Sequence, residues 1–83
     1  MGMSKSAFSK THAVLVQTLI GARREKGILQ ADLARRLGKD QSFISRIEGG
    51  QRRVDMVEFL EYAEALGIEP RQLFTAFMDA LQR

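Results

Sequence analysis

Glutamine and arginine carry the hydrogen-bonding groups that fit the edges of adenine and guanine in a major groove. Residues 41–46, QSFISR, hold one of each with two serines among them. On a helical wheel Phe43, Ile44 and Ile47 face or flank the interior, which leaves Gln41, Ser42, Ser45 and Arg46 together on the outer side. That outer set contains no acid, whereas a solvent-facing helix more often pairs Glu with Lys at four-residue spacing. Contact with an anionic partner is one reading of this face. A plain solvated surface is the other.

Other chemistry finds little support. The one histidine, His12, has no carboxylate at helical spacing and is expected on the surface, so a converging acid–base set is missing. Glu58, Glu61 and Glu64 recur without histidine or cysteine among them, which argues against a metal site. No glycine loop of the phosphate-cradling kinds occurs, and no cofactor is implied. The chain reads as a non-enzyme.

Charge is unevenly spread over the 83 residues. Residues 1–53 carry eleven Lys and Arg against four acids, a net +7, while residues 54–83 carry two against six, a net −4. One half suits an anionic surface and the other does not. Cysteine is absent, which excludes a disulfide framework and fits a reducing cytoplasm. No apolar run approaches the ~20 residues needed to span a bilayer, so no membrane role is expected.

The elements that must position the QSFISR stretch are short helices. Residues 1–11 show no periodic apolar face and are expected to be a flexible segment, with a single domain over 12–83. From His12, Leu15, Leu19 and Ala22 recur at helical spacing until Gly27. Leu33, Ala34 and Leu37 mark a second helix stopped by Gly38, and Asp40 stands at the N-cap of a third, which carries Ile44 and Ile47. Asp55 caps a fourth with an inner stripe of Val57, Leu60, Ala63 and Leu66. Pro70 opens a fifth, bearing Leu73, Phe74, Phe77, Met78 and Leu81. No segment alternates with period two, so the expected fold is all-α with five helices. Helices two and three are joined too tightly to lie side by side and must cross as a helix-turn-helix.

At this point the sequence resembles a known family, the phage-repressor-like, or XRE-type, helix-turn-helix DNA-binding proteins. The resemblance runs from about Leu15 to Leu73 and is densest in ARREKGILQADLARRLGKDQSFISRIEGGQRR. It rests on an arginine before the first glycine, on Q-x-x-L-A-x-x-L-G, and on S-x-I-S-R-I-E-x-G in that order. It implies a five-helix, lambda-repressor-like DNA-binding domain.

The resemblance also implies roles. Gln41, Ser42 and Arg46 would face base edges, with Ser45 reaching a base or a phosphate. Gln30, Arg52 and Arg53 would contact the DNA backbone, and Arg23 would approach a phosphate while pairing with Glu48. Two departures stand out: Leu29 replaces the usual Ser or Thr before Gln30, and Asp40 replaces one before the third helix. One such unit reads few base pairs, so a homodimer on a near-palindromic operator is expected. Phe74, Phe77, Met78 and Leu81, with Ile20 or Phe59, would form its interface. The implied function is a transcriptional repressor or autoregulator, similar in size to the controller proteins of restriction-modification systems. The alternatives are an antitoxin with a toxin partner, or a protein-interaction adaptor.

Overall fold

The computed structural model describes residues 9–83; residues 1–8, most of the segment expected to be flexible, lie outside them. Five helices follow one another: α1 Lys10–Glu25, α2 Gln30–Arg36, α3 Gln41–Glu48, α4 Met56–Leu66 and α5 Pro70–Leu81. Among the described residues there is no strand, and no helix is long and apolar enough to cross a membrane.

Local chemistry places most of these boundaries. Asp40 accepts from the Phe43 amide to start α3, and Asp55 and Glu58 form a reciprocal capping box at the start of α4. Between α2 and α3 the chain turns through Gly38 at φ 70°, a conformation that a side chain would strain. Leu29, by contrast, offers α2 no side-chain cap.

The helices close on one core built from Leu19, Leu33, Ala34, Ile44, Ile47, Phe59, Tyr62, Ala63, Leu66 and Leu73. α2 packs on α3, α4 lies against α2, and α5 runs along α1. α5 supplies a single fully buried residue, Leu73.

Two expectations are corrected. The inner face of α4 is Phe59, Tyr62, Ala63 and Leu66, while Val57 and Leu60 are 63% and 46% exposed. Both registers satisfy helical spacing. The observed one buries two aromatic rings, the larger apolar gain. Phe59 is thereby core, 6% exposed, with its ring against that of Phe74.

His12 is the second correction, since it is buried at 7% exposure. Ser9 accepts from the His12 amide and starts α1 at Lys10. The imidazole then falls on the inner face with Val16, Leu19 and Arg23. It reaches a small cavity of about 190 Å³ shared with Glu48, Gly49 and Gly50, and its Nε2 has no hydrogen-bond partner.

Burial, aided by the nearby positive charge of Arg53, holds the imidazole below its ordinary value of 6.5. The folded chain therefore binds this proton less readily than the unfolded chain. Stability is full above the ordinary value and declines as pH falls from ~6.5 towards the lowered folded one. The melting temperature should begin to drop as pH falls below about 6.5, before carboxylates start to titrate. In His12→Leu that part of the dependence should vanish, and an unchanged profile would show that His12 does not cause it.

Candidate nucleic-acid interface

The outer side of α3 is open. Gln41, Ser42, Ser45 and Arg46 are all exposed, and the neighbouring Ile44 and Ile47 are fully buried. A helix with this division presents its polar edge without obstruction from the rest of the subunit. Gln30, at the start of α2, stands beside it: the Gln41 Nε2 donates to Gln30 Oε1 at 3.3 Å. Ser42 donates to Asp40 Oδ1 at 2.7 Å, so its proton is committed while its lone pairs remain able to accept. The Ser42 hydroxyl, the Phe43 amide and the charge of Arg46 hold the Asp40 carboxyl below its usual range, and it stays ionised beside the open face.

Behind this face lies a buried ionic cluster centred on Glu48. Its carboxylate accepts from Arg23 Nε at 2.6 Å and Nη2 at 2.9 Å, from Gln30 Nε2 at 2.9 Å and from Tyr62 Oη at 3.1 Å. Burial alone would raise the Glu48 carboxyl, but the Arg23, Gln30 and Tyr62 bonds outweigh it and keep the group below its ordinary value. Arg23 is raised in turn, chiefly by its bonds to Glu48, and burial drives the Tyr62 hydroxyl upward. Arg23 also donates through Nη1 to the Ile28 carbonyl at 2.8 Å. Every nitrogen of that guanidinium has a protein acceptor, and the residue is 7% exposed. Its geometry is that of a structural pair with Glu48.

The turn after α3 separates two adjacent arginines. Arg53 is exposed. Arg52 makes a two-pronged bond to Glu58, with both contacts at 2.9 Å. Elsewhere in the basic half Arg35 pairs with Asp32, and Arg36 donates to the Ala65 carbonyl near the end of α4 at 2.9 Å. Part of the positive charge is thus used inside the domain.

A helix-turn-helix family model matches residues 20–73, well over half of the chain. The chain belongs to the XRE-type helix-turn-helix family of transcriptional regulators. A helix-turn-helix-type transcriptional regulator from Sinorhizobium fredii is 38% identical over 53 residues, covering 64% of this chain and 69% of the relative. Repressor protein C of Rhizobium phage 16-3 is 37% identical over 78 residues; these are 94% of this chain but 28% of the phage protein, so the chain spans under a third of that relative. The restriction-modification controller protein C.AhdI from Aeromonas hydrophila superposes with a TM-score of 0.72 at 41% identity, over 80% of this chain and all of that one. In this XRE-type chain the expected base-facing residues share one face, with Gln30 at its edge.

Sequence reasoning overlooked Tyr62 as a partner of Glu48 and Glu58 as a partner of Arg52. The first joins residues far apart in sequence and has no periodic signal. The second was within reach, since D-x-x-E at Asp55 and Glu58 is a capping signature with an arginine just upstream.

The Glu48 cluster generates a stability prediction. Arg23→Ala removes the cation and leaves a carboxylate buried, 5% exposed at its side chain. The loss should be about 3–5 kcal/mol in urea unfolding. A loss under about 1 kcal/mol, the range of a surface pair, would show that the cluster is not a stabilising centre.

Proposed function

We propose that the protein is a sequence-specific double-stranded-DNA-binding regulator, acting as a repressor or autoregulator in the cytoplasm. The observation that carries this reading is the uncovered, acid-free polar face of α3 backed by a fully buried edge. In this reading α3 enters the major groove. Gln41, Ser42 and Arg46 meet base edges and Ser45 a base or a phosphate. Gln30 and Arg53 contact backbone phosphates and set the register. The likeness to a phage repressor and to a restriction-modification controller supports a regulatory role.

The proposed assembly is a homodimer on a near-palindrome with half-sites about one turn, ~34 Å, apart. Its support is the apolar surface on the acidic half. Phe74, 43% exposed, shares a surface with Leu60 at 46% and Met56 at 61%, and Met78, 38% exposed, follows one helical turn after Phe74. Phe77 and Leu81 are half-buried beside them. This surface lies on the half with net charge −4, which DNA repels.

Selection of bound duplexes from a random pool tests the reading directly, and a recovered palindrome would support both specificity and pairing. On the best site Gln41→Ala should cost ~1–3 kcal/mol and relax preference at one base position, while Arg53→Ala should weaken all duplexes evenly and reduce the salt slope by ~1. Equal, weak binding to every duplex by the unaltered protein would refute sequence-specific recognition and favour the adaptor reading.

Phe74→Glu should yield a monomer in sedimentation and lower operator affinity by ~10²–10⁴, the loss expected when two linked contacts become one. A variant that still sediments as a dimer would exclude this face as the contact.

A further inference from the structure

Arg52 and Arg53 are neighbours in sequence, yet Arg52 is anchored on three sides. Its Nη1 and Nη2 donate to Glu58 Oε1 and Oε2, each at 2.9 Å, and Nη1 also donates to the Arg53 carbonyl at 2.8 Å. Its guanidinium carbon stands 4.6 Å from the centre of the Phe43 ring, at cation–π distance. The ammonium of Lys39 approaches the same ring at 5.2 Å. Glu58 meanwhile accepts from the Asp55 amide at 3.0 Å, while Asp55 accepts from the Glu58 amide at 2.7 Å. A continuous line of contact therefore runs from Phe43 on α3, through Arg52 in the turn, to the capping box that starts α4.

We propose that Arg52 is a positioning residue for DNA recognition: it sets how α3 and the 49–55 turn lie relative to α4 and does not itself bind a phosphate. This rests on the DNA-binding reading above. The bidentate, charge-assisted geometry is the strong form of such a pair. The Arg52 and Glu58 side chains are 36% and 22% exposed, so the pair is partly shielded from water. To reach a phosphate Arg52 would give up both prongs and its ring contact, and it would strand a carboxylate near the DNA backbone. Left in place, the pair is electrically neutral and displaces no counterion. It does hold Phe43, which lies between base-facing Ser42 and Ser45, and through its bond to the Arg53 carbonyl it holds the backbone that carries Arg53. A rigid support of this kind determines whether a recognition face meets the groove at its productive angle.

The experiment measures salt-dependent binding of the full chain to the selected duplex and to a scrambled duplex of equal length. The proteins are wild type, Arg52→Ala, Arg52→Lys and Glu58→Gln, each compared well below its melting temperature. Arg52→Ala should lose roughly tenfold on the selected duplex, less on the scrambled one, with the salt slope unchanged. Arg52→Lys should resemble it, because an ammonium provides neither the fork nor the flat contact. Glu58→Gln should also weaken selective binding. A merely stabilising role would shift melting and leave the ratio between the two duplexes intact, which overturns the proposal. So would a slope reduced by about one in Arg52→Ala, full recovery in Arg52→Lys, or tighter binding in Glu58→Gln. If Arg52→Ala does not fold, the two milder variants decide. Failure of the wild type to distinguish the duplexes defeats the DNA reading itself, an outcome separate from any behaviour of the variants.

Discussion

One buried carboxylate holds the domain together. Glu48 ends α3, and its four hydrogen bonds run to Arg23 on α1, Gln30 on α2 and Tyr62 on α4. A charge taken out of water is costly, and only a full set of partners offsets the loss. The cluster therefore favours one arrangement of four helices, since any shift of one leaves an unpaired ion. α3 is short and could not hold its own orientation in isolation. It is held by its inner edge and its last residue.

That fastening permits the composition of the outer face. Because Ile44, Ile47 and Glu48 provide the attachment, Gln41, Ser42, Ser45 and Arg46 need not stabilise anything. Much of the basic charge is likewise engaged inside the domain. Arg23, Arg35, Arg36 and Arg52 have acceptors within the domain. A count of positive charge along the sequence thus overstates the charge offered to a partner.

How much was legible in the sequence depended on the range of the interactions. Caps and turns are local, so Asp40, Asp55, Gly38 and Pro70 marked their boundaries directly. The Arg23–Glu48 pair followed only from the family resemblance. Its further partners, Gln30 and Tyr62, belong to three-dimensional packing that no spacing encodes. On α4 two apolar stripes competed, and pattern alone could not rank Phe59 and Tyr62 above Val57 and Leu60. His12 was misplaced because Ser9 starts α1 at Lys10, which turned an apparent surface histidine inward. The open face of α3 was readable because a lone amphipathic helix exposes whatever its apolar edge does not claim.

The packing of α5 has an evolutionary side. Leu73 is its one deeply buried residue, so changes at the exposed Thr75 or Met78 bear little on the core, whereas Phe74 stacks edge-on against the core ring of Phe59. The exposed side of α5 can therefore vary by single substitutions without disturbing the polar face of α3, which lies on the opposite charge half.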